Sequence, residues 1–240
     1  MADSACNRAF KLILVRHGQT THNKAKIIQG QMETQLTDLG RDQAKLLGEY
    51  FRREKISFDK YYSSDLIRAH ETCKIIRSEI ELHDEGVILT SNLLREKCWG
   101  NLQGQTIEMI RKTASDAGYD VSTMSQFRPE GGGETLDDVH ERIRNFCKNE
   151  LFQNAKNNER ILVVLHGGPI REFMKIFRKF GCPIDQKDLI ITPNTSINEF
   201  DILLTPENRI QNIAPLRLHS MPHLTLDVLK NDSAGYEDGN

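Results

Sequence analysis

The chain has 240 residues, 38% hydrophobic and 28% charged, a composition that supports a buried core and excludes a fibrous or globally disordered protein. A formal net charge of -2 gives no long-range field for nucleic acid or an anionic membrane, so neither is expected as a partner and any anion site has to be local. The longest aliphatic run, Ile161 to Leu165, is too short for a membrane span or a signal peptide, and residues 1–8 carry Asp3 and one arginine, unlike a transit peptide; the expected location is cytoplasmic.

Leu12-Ile13-Leu14-Val15 reads as a strand buried on both faces, and it breaks abruptly into Arg16-His17-Gly18. In an open α/β sheet ligands sit beyond the carboxyl ends of the strands, where Arg16 and His17 would emerge. The donors that follow are the Thr20 hydroxyl and the Asn23 amide, with no carboxylate among them, a set suited to phosphate. Taken alone, this break fits a polar strand end as well as a phosphate site.

A polar loop over 24–35 leads to Thr37, a good N-cap, and to a helix whose apolar face is Leu39, Leu46, Leu47, Tyr50 and Phe51. Phe58 to Tyr62 reads as an aromatic strand, and Ser63-Ser64-Asp65 as N-cap residues of a second helix with the stripe Leu66, Ala69, Cys73, Ile76 and Ile80. Arg68 lies in its first turn, roughly 120° from the stripe centre, which reads either as a solvated arginine or as a second anion clamp outside the core. Glu96 follows the extended pair Leu93-Leu94, at an expected strand end between Arg95 and Lys97.

Gln105 to Ala114 reads as a short helix. Gly131-Gly132-Gly133 reads as a flexible entry to a helix capped by Thr135, with Leu136, Val139, Ile143, Phe146 and Cys147 inward and His140 at the stripe's edge. Ile161 to Leu165 then ends in His166-Gly167-Gly168-Pro169, repeating the opening pattern of buried strand, imidazole and glycine. Two such endings point to one shared site. Thr195–Leu204 and Arg209–Leu216 read as late strands, and His219 and His223 receive no role. Cys6, Cys73, Cys98, Cys147 and Cys182 are widely spaced with no C-x-x-C pair, so free thiols are expected and neither a disulfide framework nor a metal site is indicated. Strands alternating with helices predict an α/β fold, a mostly parallel doubly wound sheet between helical layers, in a single domain over 9–216 with a tail over 217–240 that is disordered from about 231.

With Arg16-His17-Gly18, Arg68, Glu96 and His166-Gly167 in place, the chain resembles the histidine phosphatase superfamily and its three-layer, phosphoglycerate mutase-like fold. That resemblance implies that His17 is the nucleophile and Glu96 the proton donor. It implies that Arg16, Asn23, Arg68 and His166 hold the phosphoryl group, with Gln29, Gly30 and Gly167 nearby. Within the superfamily, Lys26 to Gln31, Ser63 to Leu66, Gly132 to Asp137 and Thr192 to Thr195 are most similar to the TIGAR-type fructose-2,6-bisphosphatases. The chain lacks that subfamily's long insertion before the His166 strand. It also differs from the mutases, with Gly168 where they carry Asn and Ile107 where they carry a lysine.

The implied chemistry needs neither cofactor nor metal, because the guanidiniums and a protonated His166 supply positive charge. His17 must be neutral to attack phosphorus, and Arg16 and Arg68 should keep it so. The expected reaction is hydrolysis of a small phosphorylated metabolite through a phosphohistidine, with fructose 2,6-bisphosphate, cleaved at the 2-position, as substrate. Arg111, Lys112 and Arg128, the basic residues between Lys97 and His140, are the candidates to bind its second phosphate at long range. The alternatives are a phosphoglycerate mutase or bisphosphoglycerate phosphatase, and a non-catalytic phospho-ligand adaptor; the last predicts damage to His17 or Glu96, and both are intact. The sequence carries no signal for oligomeric state.

Overall fold

The computed structural model describes residues 6–80, 87–120 and 122–225. In chain order its elements are β1 (Arg8–Arg16), α1 (Thr21–Lys24), α2 (Asp38–Arg53), β2 (Lys60–Ser64), α3 (Ile67–Ile80), β3 (Ile88–Ser91), α4 (Ile107–Asp116), α5 (Leu136–Phe146), α6 (Phe152–Asn154), β4 (Arg160–Leu165), α7 (Gly167–Lys179), β5 (Ile197–Leu204) and β6 (Ile210–Ser220). The strands form one six-stranded sheet in the order β3-β2-β4-β1-β5-β6. β1, β2, β3 and β4 pair in parallel, while β5 and β6 add an antiparallel edge beside β1.

The two continuous apolar runs form the central strands because both of their faces are covered. Leu12, Leu14, Ile161, Val163 and Leu165 pack on one face with Val139, Ile143 and Phe146 of α5 and Ile170, Phe173 and Phe177 of α7. Ile13, Val15, Leu162 and Val164 pack on the other with Ala44, Leu47 and Phe51 of α2 and Ala69, Cys73 and Ile76 of α3. The three layers expected from the sequence are therefore present, and alternate residues of each strand serve opposite cores. Thr37 and Thr135 cap α2 and α5 as read, accepting from Gly40 N–H and Asp138 N–H. Gly18 and Gly40 pack so closely that a Cβ on either would overlap the other's backbone neighbourhood, which draws the first turn of α2 onto the end of β1.

Several expectations shift. Leu93-Leu94 is not extended: the strand lies earlier, at β3, and Asn92–Leu94 is a 3-10 turn capped by Ser91. β6 continues past Leu216, the expected domain end, to Ser220, and His223 and Leu224 beyond it are buried. The expected disorder from about 231 lies outside the described residues. All five cysteines are free thiols, and burial pushes Cys73 up to about 12. Among the described residues no helix is long and apolar enough to cross a membrane.

Candidate active site

The site begins with strand register. β1 and β4 lie side by side with Arg16 opposite Leu165, and His17 N–H donates to Leu165 O at 2.9 Å. The next residue of each strand is a histidine, so the imidazoles of His17 and His166 meet edge to face, with ring centroids 5.1 Å apart. The two His-Gly endings thus form one pair, 3% and 0% exposed.

His17 Nδ1 lies 2.7 Å from Gly18 O. A carbonyl only accepts, so Nδ1 carries the proton and Nε2 keeps its lone pair. Burial holds the His17 pKa well below the usual imidazole value, helped by the charges of Arg68 and Arg16 and opposed by the bond to Gly18. The backbone around it is pinned: Gly18 N–H donates to Thr72 Oγ1 at 3.0 Å, and Asn194 Nδ2 donates to His17 O at 2.7 Å.

His166 differs from its expected role as a cation. Burial, followed by the charges of Arg68 and the proximity of His17, Arg142 and Arg16, pushes its pKa well down, so the free protein holds it neutral. Its Nε2 lies 2.9 Å from Ser64 Oγ, which itself accepts from Leu66 N–H at 3.3 Å. We assign the Ser64 proton to Nε2, which leaves the hydrogen of His166 on Nδ1, a buried atom with no partner. His166 therefore offers one N–H donor without a second charge.

Arg68 is 1% exposed, one of the largest fully buried side chains, although helical spacing put it outside the core. The loop before α2 covers it: Nη1 donates to Met32 O at 2.8 Å and Nη2 to Gly30 O at 2.7 Å. Burial pulls its pKa down to about 10, so it remains a cation at neutral pH. Arg16 is tethered similarly, with Nη1 donating to Thr192 O at 2.8 Å. In both guanidiniums Nε is buried and has no partner.

The remaining expected residues divide into facing groups and supports. Asn23 Oδ1 accepts from Thr20 N–H at 3.1 Å and from Thr20 Oγ1 at 3.0 Å, which leaves its NH2 as the outward donor. The Thr20 hydroxyl takes part in the capping box of α1 and sets the Asn23 amide. Gln29 accepts from Thr34 Oγ1, and Gly30, at φ +54, turns its carbonyl onto Arg68; both hold the loop. Gly167 gives room where a Cβ would press on Ile191.

Glu96 is anchored on the first turn of α7, two residues past His166. Its Oε2 accepts from Gly168 N–H at 3.1 Å and its Oε1 from Lys97 N–H at 2.7 Å. A Cβ on Gly168 would overlap Oε1, so the glycine is what lets the carboxylate in. The flanking cations turn away: Arg95 forms a bidentate pair with Asp65 at 2.8 and 2.7 Å, and Lys97 Nζ stands 4.0 Å over the Trp99 ring. Below Glu96, Arg142 donates to Glu96 O and Leu93 O and pairs with Glu134, which also accepts from Cys98 N–H. The Gly131–Glu134 stretch is therefore a brace, not only a flexible helix entry.

Sequence reading missed Ser64, Thr72, Arg142, Thr192 and Asn194 as supports. Ser64 was visible as an N-cap residue and within a family-like stretch, and Thr192 to Thr195 only as such a stretch.

The model of the histidine phosphatase superfamily (branch 1) matches residues 12–206. The chain belongs to that superfamily. It is 33% identical over 201 residues to a broad-specificity phosphatase of Saccharomyces cerevisiae, covering 83% of this chain and 82% of that protein. It is 30% identical over 167 residues to a 2,3-bisphosphoglycerate-dependent phosphoglycerate mutase of Methylorubrum extorquens, covering 69% of this chain and 77% of that one. A solved phosphoglycerate mutase from Bacillus anthracis superposes with a TM-score of 0.74 over 95% of this chain and 98% of its own, at 21% identity, a likeness of fold.

In this histidine phosphatase the ring protonation states are directly measurable. At pH 6.5, where an unperturbed imidazole is about half protonated, two-bond nitrogen–proton NMR correlations should show His17 and His166 neutral with the hydrogen on Nδ1. An imidazolium pattern for either ring would contradict the site electrostatics.

Proposed function

We propose that this histidine phosphatase hydrolyses a small phosphorylated metabolite through a phosphohistidine on His17. The observation that carries the reading is the free Nε2 lone pair of a neutral, buried imidazole flanked by two buried guanidiniums. Nε2 attacks phosphorus, the ester P–O bond breaks, and its electron pair leaves on the alkoxide, which takes a proton from the Glu96 carboxyl. The charge developing on the phosphoryl oxygens is met by Arg16, Arg68, the Asn23 amide and the His166 Nδ1–H, donors already fixed before the reaction. The bond from His17 Nδ1–H to Gly18 O steadies the positive charge that the ring acquires. Water then attacks the phosphohistidine, Glu96 takes its proton, and inorganic phosphate and neutral His17 are restored.

Substrate class turns on which cations remain for a second anionic group. Arg128 pairs with Asp138 and Lys112 with Asp116, so these two do not form the expected anchor. Lys97 is a better one. It is 4% exposed and its ammonium has Phe127 O at 3.5 Å and the Trp99 face as neighbours, while Arg171, one turn into α7, buries an unpartnered Nε. Fructose 2,6-bisphosphate, cleaved at the 2-position, is the substrate that fits this reading. The mutase relative at 30% identity supports a second one, phosphoglycerate mutation. The deciding experiment compares phosphate release from fructose 2,6-bisphosphate, 2,3-bisphosphoglycerate and simple monophosphates with interconversion of 3- and 2-phosphoglycerate. Acid-labile, base-stable label on His17 with release outrunning interconversion is the expected result; faster interconversion would favour the mutase.

Glu96→Gln removes the transferable proton. It should slow an alkyl phosphate by about 10²- to 10⁴-fold and p-nitrophenyl phosphate far less, since nitrophenolate leaves without protonation. Equal losses would assign Glu96 to binding alone.

Burial draws the Lys97 ammonium down to about 8, against the attraction of Glu134 and Glu96. It is charged below that pH and neutral above, so KM for a bisphosphate should rise as pH passes about 8 while KM for a monophosphate stays level. Lys97→Met should flatten the difference, and parallel profiles for both substrates would remove Lys97 from the substrate site.

A further inference from the structure

We propose that His219 and His223 are positioning residues: the C-terminal end of the described chain clamps, from behind, the loop that aims Arg16 at the phosphoryl group. This rests on the phosphatase reading of Arg16 given above.

Beyond its place in the β1–β4 ladder, Arg16 is held at two points that both belong to the loop between α7 and β5. Its guanidinium donates to Thr192 O at 2.8 Å, and its backbone carbonyl accepts from Thr195 N–H at 3.0 Å. Beyond a single 3-10 turn at Gln186–Asp188 that loop has no regular structure, and Thr195 takes a left-handed conformation, φ 54, that a β-branched residue resists. Something has to hold it. His219 also sits in the left-handed region, at φ 51, and from there it makes three bonds. Its N–H donates to Asn198 Oδ1, its Nε2 donates to Asp188 O, and its Nδ1 meets Thr192 Oγ1, each at 2.9 Å. One imidazole thereby ties Asp188, the end of the 3-10 turn, to Thr192, whose carbonyl holds Arg16.

His223 secures the other point. Thr195 Oγ1 donates to Asn194 O at 2.8 Å, so the His223 Nε2 at 3.0 Å is the donor to that hydroxyl. Its Nδ1 is then an acceptor, buried and without a partner, and burial holds the ring down to about 3, hence neutral. The two strained residues, Thr195 and His219, are linked to the two attachment points of Arg16. Strain retained where several bonds converge on a functional group is the pattern of a pre-organised site.

The competing reading is that both histidines only stabilise the fold, and kinetics separate the two. Arg16 contacts phosphate before and during reaction, so misaiming it should weaken binding. His219→Ala in the full chain should raise KM for p-nitrophenyl phosphate and the inhibition constant of inorganic phosphate together, by about threefold to tenfold, with a smaller change in kcat. His219→Asn should recover most of the loss, because its amide reaches the place of Nδ1 and asparagine tolerates left-handed backbone. His223→Leu, which keeps bulk and removes the donor to Thr195, should shift the same two constants independently. A lowered melting temperature with KM and phosphate inhibition unchanged, or an asparagine variant no better than alanine, would overturn the clamp. Should wild-type protein fail to turn over any phosphate ester, the phosphatase reading falls, and direct binding of inorganic phosphate to the same variants still decides the clamp.

Discussion

The site depends on one hydrogen-bonded register, the parallel pairing of β1 with β4. Two strands without regular sequence proximity are locked so that Arg16 faces Leu165, and the residue after each is a histidine. A slip of one residue would send one of the imidazoles to the opposite face of the sheet and separate the pair. The register resists slipping because both faces of both strands are fully packed, against α5 and α7 on one side and α2 and α3 on the other. Core packing is therefore what sets the distance between His17 and His166.

Electrostatics follows from how the arginines are held. Arg16 and Arg68 are tethered by backbone carbonyls of Thr192, Met32 and Gly30, which orient a guanidinium without cancelling its charge. A carboxylate tether would have neutralised them and relaxed the field on His17. As built, burial first and then the two guanidiniums keep both imidazoles neutral, with Glu96 and Glu33 acting on Arg68 only at longer range, and the same cations await an anion. The cost of burying that charge is the reason to expect tight binding of phosphate, which restores the balance.

Features written in local spacing were legible in the sequence: the doubly buried strands, the threonine caps of α2 and α5, the helix stripes and the two His-Gly endings. What failed was long-range. Arg68 was placed outside the core from its angle on α3, and it is indeed off the apolar stripe; its burial comes from the loop at Gly30 to Met32, which no periodicity reports. Arg128 and Lys112 were candidate phosphate anchors as cations on the right stretch, yet each is taken by a carboxylate within a few positions or across a turn. Lys97 was seen only as a flanking charge, because the contact that buries it, the Trp99 face, depends on how the loop folds. His219 and His223 were assigned nothing, since their partners lie in a loop near Thr192 that only the sheet's antiparallel edge brings to them.

The N-terminus of α7 shows the same economy between local motif and distant use. A helix that starts directly after a strand at the sheet's carboxyl end presents free N–H groups and the positive end of its dipole, an arrangement that favours an anion. In this chain the group on Gly168 N–H is the Glu96 carboxylate. The glycine therefore does two things at once: it offers a donor and it leaves the space that a side chain would fill. Holding the acid on a backbone N–H, away from the Arg16 and Arg68 carbonyl tethers, separates the group that moves protons from the groups that hold charge. A substitution at Gly168 should therefore act first on proton transfer, and a change in the Thr192 loop first on phosphate binding, although the charge of Glu96 is felt at Arg68.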